Sequence, residues 1–380
     1  MSGLDREHYF WLDALRGLAA VIVLVSHVSI FGLYGWEHTF ATVPPTRLLW
    51  SGQQAVILFF VISGFALFLL FESMMRAGDG WLRFLLVRFL RLYPPYVASL
   101  GLALIVIKAP TVFGISPPAN MPIIANGNVT LSNLIGHLSM VGDFDRSAIN
   151  PPIWSLVYEA RLCLVFPLIF ALVAGGTRRS VATLGLAWLA VIGCMAAWEY
   201  LVAPNLSGAF ALIRTASLAS TFFIGATIAK FRVRIAAWIS TQQPTLLATL
   251  LIVSIFVFMY SFGYSWPGWA PRWVLLIAEL FTTIASAYFI VMAISYPAPK
   301  IHRVLRFLGK ISYSLYLVHQ VVIMGVILLC FGRYPAPVLW VISIGASLAV
   351  ASLFYFVVEA PAIAASRAVR RSRQGALDRD

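Results

Sequence analysis

Arg16 and His27 stand eleven residues apart in one apolar run, LDALRGLAAVIVLVSHVSIFGLY. At about 100° per residue this separation falls roughly 20° from three full turns, so a helix presents both side chains on one stripe. The same spacing sets them roughly 16 Å apart along the axis, and if Arg16 marks a membrane boundary, His27 lies well inside the hydrocarbon. Ionisable groups at that depth are costly unless they face a partner or a cavity, which makes both residues candidates for chemistry. A guanidinium suits an anionic substrate, and an imidazole suits general base catalysis. Asp13, one turn before Arg16, is placed to orient the guanidinium.

Glu159, with Arg161 nearby in NPPIWSLVYEARLCLVFPL, reaches a depth comparable to that of His27 from the opposite surface. There it could orient the imidazole and raise its basicity, or it could form an ion pair with another helix. Arg88 and Arg91 of VRFLRLYPPY lie one turn apart and read either as membrane-boundary anchors or as a phosphate site. In SYSLYLVHQ, spacings of four and three bring Ser312, Tyr316 and His319 to one helical face, for hydrogen bonding between helices or for contact with a substrate. Glu359, at the end of the last apolar run, is expected to bind a basic residue of the interior.

The elements that must carry these residues are spanning helices. Hydrophobic residues make up 61% of the chain and charged ones 11%, with a mean hydropathy of +0.89, beyond any ordinary soluble domain of this size. Apolar stretches of helical length separated by short polar breaks imply an all-α polytopic membrane protein, and the alternation of a β-barrel is absent. About ten spans are expected, near 12–33, 48–71, 84–107, 153–174, 181–203, 209–229, 244–262, 272–296, 311–331 and 336–358. Lys and Arg concentrate in the breaks that share a side with the termini, which places both termini in the cytoplasm. The net charge of +13 is scattered among those breaks, so it reads as a topology signal, and no nucleic acid is expected as a partner. Cys163, Cys194 and Cys330 form neither a disulfide framework nor a metal-ligand spacing, and no metal is expected.

Residues 1–361 are expected to form the transmembrane domain and 362–380 a basic, disordered cytoplasmic tail. The first apolar run lacks a short core followed by an A-x-A site and reads as the first span rather than a leader. The break at 108–152, rich in Pro, Gly and Asn, faces outward in this scheme and either shapes a binding cleft or simply connects two spans.

Five segments carry a family resemblance in order along nearly the whole chain: LDALRGLAA with Arg16 and His27, LFFVISGFAL, RFLRLYPPY, PPIWSLVYEARLCLVFPL and SYSLYLVHQ. The chain resembles the membrane-bound acyltransferase family 3, whose members transfer acyl groups, often acetyl, to hydroxyls of surface polysaccharides and related glycans. The resemblance implies that Arg16 and His27 belong to the catalytic site and that Arg88 and Arg91 contact an acyl-CoA donor. Many relatives carry Gly-Val and an acidic residue before LFFVISGF, where this chain has Ala55, Val56 and Ile57, so no role of that acidic group carries over. The family's extra carboxy-terminal esterase-like domain is also not found, which reads as a stand-alone transferase.

The expectation is therefore a multi-pass protein of a bacterial inner membrane, in contact with the lipid bilayer, that moves an acyl group from acyl-CoA to a carbohydrate or glycolipid hydroxyl. Acetyl-CoA is the expected co-substrate, with no permanently bound cofactor. His27, Arg16 and Glu159 are the catalytic candidates, Arg88 and Arg91 the donor contacts, and Ser312, Tyr316 and His319 the acceptor contacts. A proton-coupled secondary transporter or flippase is the competing reading, since intramembrane His, Arg and Glu also mark proton pathways.

Overall fold

The structure, a computed structural model, describes residues 10–31, 43–114, 129–140, 148–175, 177–201, 207–262, 272–297 and 303–371. Its helices are α1 (Phe10–Val28), α2 (Gly52–Arg76), α3 (Trp81–Phe113), α4 (Leu131–Ser139), α5 (Trp154–Ala174), α6 (Thr177–Leu201), α7 (Ser207–Ile239), α8 (Pro244–Tyr260), α9 (Arg272–Ser295), α10 (Arg303–Cys330), α11 (Ala336–Phe354) and α12 (Ala360–Arg371). Each expected span overlaps one of them. Among the described residues, seven helical stretches are long and apolar enough to cross a membrane, and α8 and part of α6 form shorter apolar helices. The helical state follows from the environment: without water to satisfy backbone groups, an isolated spanning segment must satisfy them internally.

The chain divides into two units, one of Met1–Ile22, Phe40–Ser73 and Leu164–Lys310, the other of Val23–Thr39, Met74–Cys163 and Ile311–Asp380. Arg16 belongs to the first unit and His27 to the second, although α1 carries both.

Glycine sets the backbone approach in the first unit. A Cβ on Gly64 would stand 2.6 Å from the Cα of Phe222, and one on Gly225 would stand 2.8 Å from the amide nitrogen of Phe65, so α2 and α7 cross backbone against backbone. Apolar side chains gain little by leaving lipid for protein, and close van der Waals contact at such small-residue crossings is what associates the helices. The glycine of the LFFVISGFAL segment is thus a packing residue. A second crossing joins α1 to α10, where a Cβ on Gly17 would come within 2.6 Å of the Gly309 nitrogen. Polar pairs add specificity here: Arg214 ion-pairs with Glu279, and Ser217 donates to the same carboxylate at 3.2 Å.

In the second unit α3 is 33 residues long and runs unbroken through Pro94, Pro95 and Pro110. The tyrosyl hydroxyls of Tyr93 and Tyr96 donate to the Leu138 and His137 carbonyls at 2.7 and 2.9 Å. The bond to Leu138 satisfies a carbonyl at the end of α4, the bond to His137 adds to the one from the Met140 cap N–H at 3.3 Å, and both fix this part of the 108–152 segment to α3. Thr130 caps the other end of α4 by accepting from the Asn133 amide.

The tail differs from expectation. Residues 360–371 form helix α12 rather than a disordered extension, and residues 372–380 lie outside the described part. The physical reason is an i, i+4 pair of small residues: Ala362 and Ser366 are both buried, and Ser366 donates to the Val87 carbonyl of α3 at 2.7 Å. Arg83 donates to the Val369 carbonyl at 2.5 Å, close to the C-terminal end of α12, where a cation also complements the helix dipole.

Candidate active site

His27 lies in the last turn of α1, and its Nδ1 is 2.8 Å from the Val23 carbonyl oxygen four residues earlier. A carbonyl only accepts, so Nδ1 carries the proton and donates, which leaves the lone pair of the neutral ring on Nε2. His319 on α10 repeats the arrangement, with Nδ1 at 2.8 Å from the Tyr316 carbonyl and 3.0 Å from that of Leu315. The two rings meet edge to face, with centroids 5.0 Å apart and planes inclined at 63°. His319 is 1% exposed, and its Nε2 has no hydrogen-bond partner among the described residues. Two imidazoles of one tautomer thus sit side by side, each oriented by its own helix backbone. This contact joins positions 292 residues apart in sequence, and their spacing carries no sign of it.

Tyr316 stands one turn before His319, with ring centroids 5.9 Å apart, as the shared helical face requires. Its hydroxyl donates to the Pro152 carbonyl at 2.6 Å and so receives the proton of the Ser155 hydroxyl at 2.7 Å. Asn150 donates through Nδ2 to the Leu317 carbonyl at 3.0 Å. The segment before α5 is therefore latched to α10 beside His319, and Tyr316 is held by protein on both sides. Ser312 is buried one turn further back. Asn150 and Ser155 had no signal in the sequence beyond their place beside the proline pair.

Arg88 and Glu159 are brought together as an interhelical ion pair, Nη2 to Oε1 at 2.7 Å, with both side chains largely buried. Of the two readings open for Glu159, the geometry supplies the ion pair, while the Nδ1 of His27 is oriented by Val23. A phosphate reading of the two arginines then leans on Arg91, which is half-buried one turn further along α3. The Arg161 guanidinium lies 5.4 Å from the centroid of the Tyr158 ring, a cation–π distance. Glu359 binds Ser314: its Oε2 accepts from the Ser314 hydroxyl at 2.5 Å and from the Ser314 amide at 3.1 Å. The five-residue π turn Tyr355–Glu359, between α11 and α12, ends on this carboxylate.

In the first unit Arg16 is half-buried next to the Gly17 crossing. Among the described residues neither it nor Asp13 forms an ion pair, and no group of three or more His, Cys, Asp or Glu side chains could hold a metal ion.

A family of proteins described as having an acyltransferase domain matches residues 9–356. An O-acetyltransferase, PaAT-1 of Phomopsis amygdali, is 42% identical over 65 residues, which make up 15% of this chain and 13% of that protein. Protein 2 of the picA locus in Rhizobium radiobacter is 29% identical over 210 residues, covering 53% of this chain and 100% of its own length. No solved structure matches.

Proposed function

The chain belongs to the acyltransferase domain family, which covers residues 9–356, and on that footing we propose that it is an acyl-CoA-dependent O-acyltransferase acting on a glycan hydroxyl. The observation that carries this reading is His27: a half-buried imidazole whose Nδ1–H is spent on the Val23 carbonyl, so that Nε2 is the basic atom. The name of the relative PaAT-1 supports acetyl as the transferred group.

In the proposed reaction His27 Nε2 takes the proton of the acceptor hydroxyl as its oxygen attacks the thioester carbonyl. The new C–O bond forms, the C–S bond breaks, and the proton passes on to the departing thiolate of CoA. Arg16, three turns toward the N-terminus on α1, is assigned to the donor, and Arg91 to its phosphates. Arg88 serves that site indirectly, by fixing α3 to α5 through Glu159. With both termini in the cytoplasm of a bacterial inner membrane, the donor enters from inside.

The test is release of CoA from acetyl-CoA by purified protein in lipid nanodiscs, with and without unacylated surface glycan from cells lacking the gene. Glycan-dependent CoA release supports the transferase. Movement of a substrate into vesicles without CoA release would instead favour a transporter.

A further inference from the structure

His319 is used by nothing in that reaction, yet it is the residue that His27 touches. Its Nδ1–H is bound to backbone carbonyls of its own helix, so its Nε2 is a hydrogen-bond acceptor. That atom is buried and has no partner among the described residues, and an acceptor left so is destabilising unless a donor reaches it. Asn150, tied to Leu317 through its Nδ2, likewise has a buried Oδ1 with no partner among the described residues. Nε2 of His319 is an acceptor, so a ligand group that satisfies it must be a donor.

We propose that His319 is a specificity-determining contact for the acceptor: its Nε2 receives a hydrogen bond from a hydroxyl adjacent to the one that His27 deprotonates. The acceptor class is then a polyol whose reacting hydroxyl has a free neighbour, a vicinal diol. This rests on the reading of His27 as the base of an O-acyl transfer. The ring separation of 5.0 Å suits the task, because adjacent hydroxyls on one ring can each lie within hydrogen-bond reach of one imidazole. The reacting oxygen gives its proton to His27 and bonds to the acyl carbon, as above. The neighbouring hydroxyl keeps its proton and donates it in a hydrogen bond, which fixes which oxygen faces the thioester.

The experiment uses full-length protein in nanodiscs, radiolabelled acetyl-CoA, and unacylated surface glycan from cells lacking the gene. Wild type is compared with His319→Leu, His319→Gln and His27→Ala, and the acetylated product is mapped by NMR. Expected for His319→Leu is a rise of about tenfold or more in the glycan KM, the loss of one hydrogen bond, with the acetyl-CoA KM unchanged. His319→Gln, whose Oε1 is again an acceptor, recovers most of that loss, and the acetyl group lies on a carbon whose neighbour bears a free hydroxyl. Where His319→Leu fails to fold, the Gln variant and the product map decide. An unchanged glycan KM in His319→Leu, no recovery in His319→Gln, or an acetyl group without a free neighbouring hydroxyl each overturns the proposal. Wild-type transfer by His27→Ala, or none by wild type itself, overturns the underlying reading instead.

Discussion

Arg88 of α3 and Glu159 of α5 form a buried ion pair at 2.7 Å, and this contact decides how the arginine pair of RFLRLYPPY can be used. A guanidinium already neutralised by a carboxylate is a poor phosphate ligand, since binding an anion there means separating two charges away from water. In the proposed reaction Arg88 therefore serves the donor through helix position, and Arg91 is the arginine assigned to contact it.

Removing one partner should be far worse than removing both. Arg88→Ala or Glu159→Ala leaves an uncompensated buried charge, for which a loss of about 3–5 kcal/mol is expected, whereas Arg88→Met with Glu159→Leu recovers much of it. Thermal melting of the detergent-solubilised protein measures both.

The glycine crossings tolerate no side chain. Gly225→Val and Gly17→Val each force two helix backbones apart, and overpacking of this kind destabilises by about 1–3 kcal/mol or more. Gly101 and Gly185, where an added Cβ meets nothing within 4 Å, are the controls. Their alanine variants should melt at or above the wild-type temperature, because the replacement removes a helix-disfavouring residue.

Tyr316→Phe deletes the bonds to Pro152 and Ser155 while keeping the ring. Leaving those partners unsatisfied should destabilise by about 1–3 kcal/mol. Hydrogen exchange in residues 148–155 should rise, and exchange in the middle of α8 should not.

Ala362→Arg places a charge in the buried contact between α12 and α3. The expected outcome is release of residues 360–371 to proteases with the rest of the protein still folded; protection equal to wild type would contradict the packing described for this helix.

Much of this fold was legible because spanning helices announce themselves locally. A run of apolar residues such as Gly52–Arg76 has no alternative state in lipid, so its helix can be read without knowing its neighbours. The stripe of Ser312, Tyr316 and His319 was legible for the same reason, being a matter of period within one helix. What was not legible is pairing between helices. Glu159 reaches the same depth whether it meets His27 or Arg88, and no spacing separates those outcomes. The contact of His27 with His319 is of this kind, as is the hydrogen bond from Ser314 to Glu359. The tail misled through its charge: its arginines look like those of a solvated segment, while Ala362 and Ser366 form a buried stripe too short to stand out among them.

In the proposed reaction Nε2 of His27 is the base of an acyl transfer. Glycan-dependent CoA release from acetyl-CoA, compared between wild type and His27→Ala with equal melting temperatures, tests it most directly. A fall of about 100-fold or more in rate is expected for the variant, as loss of general base catalysis requires. Transfer by His27→Ala at the wild-type rate would contradict it.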